Sequence, residues 1–480
     1  MRFCAVTLGC KVNQFETQAI ESMLVSRGHK LVGPGDGCDA CIINTCAVTA
    51  ESVRKSRQAV RRMAKMEPRA LVAVCGCFSQ LSPEVPESLG ADIVGGSGNR
   101  AGFALEVERL VVSRGQVSQD KMQTSQDRGQ VSQDRGQASQ DKMQTSQGMG
   151  GGTENLPPSC VGGAFEDIPP GGGGARTRAL LKIQDGCDNY CAYCIVPYAR
   201  GRARSLPVAR AAENARLLGE RGFREIVITG IEISSYGKDL DGAPALECAV
   251  REIGAAAPSA RLRLGSLDPG AVTGDFCREL GAIPNLCNHF HLSLQSGCDG
   301  TLRRMGRKYS AGAAREAIGS LRQMFPGCGI TADLIVGFPG ETDAEFTQTM
   351  EFIKAAGFSG MHIFPYSLRP GTRAADMPEQ IEKGVKRARA SDAAAAAAAM
   401  AHDFRLGQVG KTVRVLFERK RGGRWTGHAG NYIEVAALEG GARNEICDVR
   451  IAEIEDGLAL GEITRSIKRS ASQPKLKIEN

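Results

Sequence analysis

KIQDGCDNYCAYC, residues 182–194, places Cys187, Cys191 and Cys194 at x3 and x2 spacing directly behind the apolar strand pattern ALLKI at 179–183. In proteins built from βα units, active-site residues gather at the carboxyl ends of strands. Three thiolates on one short loop do not complete a four-ligand zinc site unless a distant residue joins them. They do suffice for three irons of a 4Fe–4S cluster, with the fourth iron left open. An open iron can chelate the amine and carboxylate of an amino acid. Reductive cleavage of S-adenosylmethionine needs that arrangement, because one electron into the sulfonium yields methionine and a 5′-deoxyadenosyl radical.

Downstream of this loop the same rhythm recurs. Apolar strand patterns stand at EIVIT (225–229), RLRLGS (261–266), HFHLSL (289–294), ITADLIVGF (330–338) and MHIFPY (361–366), with amphipathic stretches between them. Six βα units predict a barrel or partial (β/α)6 barrel over residues 174–406, whose last stretch, 385–406, is Ala-rich and helical. Upstream, FCAVTLGC (3–10), ACIINTC (40–46) and ALVAVCGC (70–77) are strands that each end at a cysteine, and ADIVGG (91–96) is a short fourth. This predicts an open parallel α/β sheet over 1–112. The ends of parallel strands share one edge, so Cys10, Cys46 and Cys77 can converge there. Spacing alone leaves Cys38, Cys41 and Cys75 as rivals. The remaining cysteines (Cys4, Cys160, Cys248, Cys277, Cys287, Cys298, Cys328, Cys447) read as small buried apolar residues.

Residues 115–149 are five tandem heptads, GQVSQDK to MQTSQGM, without a Leu or Ile seam. No stable coiled coil follows from them, and 113–173 reads as a disordered insertion or linker. After residue 407, short alternating strands predict a small β-barrel at 407–470, followed by a basic tail at 471–480. Arg419, Lys420, Arg421 and Arg424 cluster at one of its turns, which fits a solvated hairpin tip and, in an appended barrel, nucleic-acid binding.

The chain has 480 residues, a net charge of +7 and 17 cysteines, an odd number that complete disulfide pairing does not fit. It opens on a strand pattern with no secretory signal, and no long apolar run predicts a membrane span. The expected setting is cytoplasmic, where cysteine-rich chains are metal or redox proteins.

TLGCKVNQFET (7–17), NTCAVT (44–49), CGCFSQ (75–80), residues 182–205, LQSGCDGTLRRMGRKY (294–309), DLIVGFPGET (333–342) and FPYSLRPGTRAADMP (364–378) together resemble the methylthiotransferase family of radical S-adenosylmethionine enzymes. The last domain looks like the RNA-binding TRAM barrel. The resemblance implies two 4Fe–4S clusters, one on Cys187, Cys191 and Cys194 and an auxiliary one on Cys10, Cys46 and Cys77. It also implies S-adenosylmethionine as cofactor, a reductant protein such as flavodoxin or ferredoxin, and tRNA, not DNA, as partner.

Family branches modify isopentenyladenosine or threonylcarbamoyladenosine in tRNA, or an aspartate of a ribosomal protein. GCKVNQ, NTCAVT and Met377-Pro378 are similar to the threonylcarbamoyl branch, which implies a methylthio group at C2 of adenosine-37. A rival of another class is a non-catalytic iron–sulfur or zinc RNA-binding protein. Gly265-Ser266, Asp268 and Ser293 depart from the usual Ser-Ser, Glu and Pro.

The same reading makes Tyr193, Thr229, Gly230, Gln295, Gly337 and Gly340 candidates for the S-adenosylmethionine pocket, each with packing or turn formation as its alternative. Arg200, Arg202 and Arg204 are candidates for phosphate contact, with capping of the next helix as the alternative. His289 and His291 share a strand face and read as a satisfied core pair, with metal ligation as the alternative.

Overall fold

The computed structural model describes residues 1–129, 154–155, 163–171 and 177–467, and divides them between two compact units. The first unit contains Met1–Gly9, Ile20–Cys46 and Glu51–Cys160. Strands β1 (Arg2–Thr7), β2 (Lys30–Leu31), β3 (Ala40–Thr45), β4 (Leu71–Gly76), β5 (Ile93–Val94) and β6 (Glu154–Asn155) form one sheet in the order β2-β1-β3-β4-β5-β6. Every pairing is parallel. All residues of β3 and β4 are buried, as a sheet covered on both faces requires, so both strands read as nearly unbroken apolar runs. Phe3, Ile42, Leu71 and Ala73 pack on one face with Phe103 and Val107 of the helix Arg100–Gly129. Ile43, Val72 and Val74 pack on the other with Val60 and Met63 of the helix Ala50–Met66.

The helix Arg100–Gly129 carries the backbone past residue 112, where the change in composition predicts the linker to begin. Residues 113–129, inside the stretch expected as linker, are helical in backbone. Most of the remaining heptad insertion lies outside the described residues. A second stretch of that expected linker is built in: Ile168 is buried with Phe15, Ala19, Leu180 and Val227.

The second unit contains Cys10–Ala19, Ala47–Ala50 and Val161–Asn480. Its first strand is β7 (Arg178–Lys182), and the short β8 (Gln184–Asp185) and β9 (Arg204–Ser205) form an antiparallel ribbon after it. Then come β10 (Glu225–Thr229), β11 (Arg261–Leu264), β12 (Ser266–Leu267), β13 (His289–Gln295), β14 (Gly329–Val336) and β15 (Gly360–Pro365). The hydrogen-bonded orders are β11-β10-β7 and β12-β13-β14-β15. Gly265 interrupts β11 and β12, which follow one another in the chain, so six parallel strand positions run in sequence order, the pattern of a partial (β/α)6 barrel. Ile226, Leu262, Phe290, Leu292, Ala332 and Leu334 belong to its core.

The helix Lys383–Leu406 leads into a closed five-stranded barrel of β16 (Thr412–Arg421), β17 (Arg424–Ala429), β18 (Glu434–Ala437), β19 (Ile446–Glu455) and β20 (Leu458–Ile467). Val415, Phe417, Val435, Val449 and Ala459 fill it. Closure leaves no free sheet edge. The attachment of this barrel is polar. Arg261 and Arg263 of β11 both pair with Glu225 of β10. Their remaining N–H groups donate to the carbonyls of Arg414, His428, Ala429 and Gly430 at 2.8–3.1 Å. The RLRL pattern thus presents leucines to the helices and arginines to the barrel.

Candidate active site

Geometry of the cysteine loop begins at its base. The β8–β9 ribbon holds the two ends of residues 185–204 together. Gly186 then turns with φ +70°, and a Cβ there would stand 1.9 Å from the Arg202 carbonyl oxygen. Only glycine tolerates both. The Cys187 N–H donates to Gly201 O at 3.0 Å, and the Cys194 N–H to Cys191 O at 3.0 Å. Between them, Ala192 donates to Met305 O and accepts from Ala374 N–H, both at 2.8 Å. The loop is thereby strung between two distant segments of the barrel. All three cysteines are half-buried. Burial pushes the Cys187 thiol up to about 11 and the Cys194 thiol up to about 12. Metal binding at such thiols releases protons.

Arg307 reaches this loop from beyond β13. It donates to Cys191 Sγ at 3.3 Å, to Asp268 at 2.8 Å and to Ser293 O at 3.2 Å. Its guanidinium lies 4.9 Å from the Tyr309 ring centre, and the Tyr309 hydroxyl donates to the carbonyls of Leu294 and Ser293. Gln184 ties in the end of β10. Its Oε1 accepts from the N–H groups of Ile231 and Glu232, and its Nε2 donates to the carbonyls of Asp185 and Gly186. Burial, reinforced by the Asp268 charge, pushes Glu232 up to about 7. Sequence reading missed Arg307, Glu232 and Gln184, and met Asp268 only as a departure from the family wording. Gln184 stands one step past the ALLKI strand pattern, a position too common to single out, while Glu232 and Arg307 lie further along, in segments that no spacing marks.

The other candidates divide. Thr229 and Gly230 do end β10 beside the loop; Thr229 O accepts from Ile183 N–H, and a Cβ on Gly230 would meet Gln184 at 2.9 Å. Gln295, almost wholly buried at the end of β13, has φ +64°, a conformation costly for a non-glycine residue and frequent at ligand sites. Tyr193 packs against Met305, Phe338 and Tyr366. Gly337 and Gly340 both have positive φ, but their N–H groups are used inside the turn, by the Glu341 carboxylate and Glu379 O. His289 and His291 share Thr331 Oγ1 as partner, and His291 also meets Asp333 at 3.1 Å.

Arg200 and Arg204 correct the expectation of phosphate contact. Arg200 is fully buried, bonded to Glu16, Asp185 and Asn13. Lys182 joins the same Glu16 and Asp185. Arg204 donates to Asp185 and to backbone carbonyls. Burial alone would push Asp185 up, but Lys182, Arg200 and Arg204 outweigh it and hold its carboxyl well below the usual range. Arg202 alone of the three is open to solvent, with 82% of its side chain exposed.

Cys10, Cys46 and Cys77 each follow one of three adjacent parallel strands, β1, β3 and β4. Cys46 and Cys77 are buried, and Cys10 is exposed. Cys10 opens the segment that groups with the second unit, and its thiol lies 3.5 Å from Asn13 Oδ1. Cys75 instead points into the apolar core of the first unit. Arg419, Lys420, Arg421 and Arg424 all line the exposed β16–β17 hairpin. Arg419 meets Glu434 at 3.2 Å, and Lys420 lies over Trp425.

Among known proteins, residues 181–353 match the Radical SAM superfamily and residues 2–95 match a family described as Uncharacterized protein family UPF0004. The chain is 33% identical to the threonylcarbamoyladenosine tRNA methylthiotransferase of Bacillus subtilis, over 89% of its own length and 88% of that protein's. It is 30% identical to the tRNA-2-methylthio-N(6)-dimethylallyladenosine synthase of Pelotomaculum thermopropionicum, covering 88% of this chain and 87% of the other. Among solved structures, the radical S-adenosylmethionine methyltransferase TsrM of Kitasatospora setae aligns at TM-score 0.51 and 15% identity, over 78% of this chain and 75% of that one. That likeness is one of fold. Full-length agreement at this level, together with a three-thiol loop at the end of the first barrel strand, shows that the chain belongs to the methylthiotransferase family of radical S-adenosylmethionine enzymes, which carry two 4Fe–4S clusters.

Proposed function

We propose that this chain modifies tRNA, inserting a methylthio group at C2 of N6-threonylcarbamoyladenosine at position 37, next to the anticodon. The observation that carries the reading is the likeness, over nearly the whole of both chains, to an enzyme named for that nucleoside. C2 of adenine is an unactivated C–H position that no side-chain acid or base functionalises at neutral pH. When bound, the clusters and S-adenosylmethionine supply the radical and sulfur chemistry that side chains lack.

The protein's own residues hold and orient. Cys187, Cys191 and Cys194 offer three thiolates to one cluster, a donor set that fits its three protein-bound irons. Arg307 fixes the Cys191 sulfur by a charged hydrogen bond. Gln184 locks the end of β10 against the loop, where Thr229 and Gly230 would hold the amino-acid end of S-adenosylmethionine, and Gln295 lies at the end of β13. Cys10, Cys46 and Cys77 offer the second set of three, and their placement after neighbouring parallel strands supports it. The β16–β17 hairpin meets the phosphate backbone of the RNA through Arg419, Lys420, Arg421 and Arg424. A reductant protein of the flavodoxin or ferredoxin kind supplies the electrons, in the cytoplasm.

The test is mass spectrometry of tRNA nucleosides from a bacterium that lacks its own threonylcarbamoyladenosine methylthiotransferase and expresses this chain. Appearance of the methylthio derivative of threonylcarbamoyladenosine is the expected result. Methylthiolation of isopentenyladenosine alone would overturn the substrate assignment. Unchanged tRNA with both clusters intact would overturn the tRNA reading.

A further inference from the structure

Three cysteines outside both cluster sets meet in the first unit. Cys4 lies within β1 and stands directly opposite Cys41 of β3 in the parallel register. Both side chains enter the face that packs against Val60 and Met63. Cys38 comes from the glycine-rich loop before β3. Its sulfur is 3.4 Å from Cys41 Sγ and 3.8 Å from Cys4 Sγ, and Cys4 and Cys41 are 3.4 Å apart. Cys4 and Cys41 are fully buried and Cys38 is half-buried. The loop is held in place separately, because the Glu67 carboxylate accepts from the N–H groups of Gly35 and Gly37 at 3.0 and 3.2 Å.

Apolar packing accounts for a cysteine in a void, but it does not select three sulfurs converging from two strands and a loop. A disulfide uses only two of them and needs about 2.05 Å between the pair. A 4Fe–4S cluster binds each thiolate at a different corner, pointing outward, so sulfurs this close cannot serve separate irons. A single thiophilic ion fits. Zinc–sulfur bonds of about 2.3 Å at tetrahedral angles separate neighbouring sulfurs by about 3.8 Å, close to the three distances here.

We propose that Cys4, Cys38 and Cys41 form a structural zinc site, with water as the fourth ligand on the half-exposed side of Cys38. Each zinc–sulfur bond replaces an S–H bond, and the proton leaves to solvent. Zinc suits the site better than monovalent copper, since it leaves the smaller residual negative charge beside Glu67. The ion ties the loop before β3 to the two strands it borders. This site stands apart from the cluster chemistry and does not depend on which nucleoside is modified.

The experiment is elemental analysis of the full-length protein, purified anaerobically with its clusters, with zinc X-ray absorption on the same sample. The expected result is one zinc per chain bound by three sulfurs, in addition to the cluster iron. Cys38→Ser, in the half-exposed loop, is expected to lose that zinc and keep its iron, which shows that it folds. Cys187→Ala is expected to keep the zinc and lose iron. Absence of zinc from the wild-type protein, zinc that persists in Cys38→Ser but disappears in Cys187→Ala, copper in its place, or a disulfide among the three cysteines would each overturn the assignment.

Discussion

At the scale of single residues, the site is defined as much by Arg307 as by the cysteines. Its guanidinium joins the Cys191 sulfur to the Asp268 carboxylate, and both bonds are held away from bulk water. Partners of metal ligands of this kind typically matter 10–100-fold when removed. Arg307→Ala is therefore expected to lower the rate of 5′-deoxyadenosine formation by about that factor while iron content stays at the wild-type level. Loss of iron would instead mark a residue needed for assembly. Two ligand substitutions separate the two clusters. Cys187→Ala is expected to abolish 5′-deoxyadenosine formation, and Cys10→Ala to stop methylthiolation while leaving S-adenosylmethionine cleavage measurable. Equal residual product in both would count against a division of labour between two clusters.

Among the elements, the buried charge network holds the base of the cysteine loop in place. Gly186 has neither the φ nor the space for a side chain. Gly186→Ala is expected to displace Cys187 and cost the protein about half its iron, one cluster of two, as colorimetric iron analysis would read. Glu16, on the helix Lys11–Ser26, is completely buried and accepts from both Lys182 and Arg200. Removing one partner from such a network leaves charges buried and uncompensated, at a cost of about 3–5 kcal/mol. Glu16→Ala is expected to unfold at clearly lower denaturant concentration than wild type. Unchanged unfolding would mean that water enters and replaces the carboxylate. This network also explains why Arg200 and Arg204 are unavailable to phosphate: their charges are spent holding the loop base.

For the whole molecule, Glu225 decides how the C-terminal barrel is held. Burial would push its carboxyl up, yet Arg261 and Arg263 hold it well below its ordinary value of 4.5. A carboxylate depressed in the folded state contributes stability that is complete above the unfolded value and is lost as pH falls below it. The protein is thus expected to weaken below about pH 4.5, and Glu225→Gln to be less stable at neutral pH with a flatter acid limb. Trp425, the single tryptophan, lies in β17 and reports barrel unfolding by its fluorescence. Charge reversal of Arg419, Lys420 and Arg421 belongs to this scale too. It is expected to weaken tRNA binding and to lower the salt slope by about 1 for each phosphate that is no longer neutralised. Cleavage of S-adenosylmethionine without RNA is expected to be unchanged.

Spacing left Cys10, Cys46 and Cys77 level with Cys38, Cys41 and Cys75 until the family resemblance chose among them, but the sequence by itself determined the cluster loop and the six strand positions of the partial barrel. These features depend on short-range spacing and on apolar runs that buried parallel strands impose, so they survive in one dimension. Tertiary structure alone decided the rest. Arg261 and Arg263 read as strand residues until the barrel carbonyls that receive them are in place, and Arg307 lies 116 residues from the sulfur it bonds. Arg200 read as a candidate phosphate ligand because its carboxylate partner, Glu16, is 184 residues away in sequence, although only 2.7 Å away in space. Cys4 likewise read as a lone apolar filler, since its pairing with Cys41 follows from sheet register, which spacing does not encode.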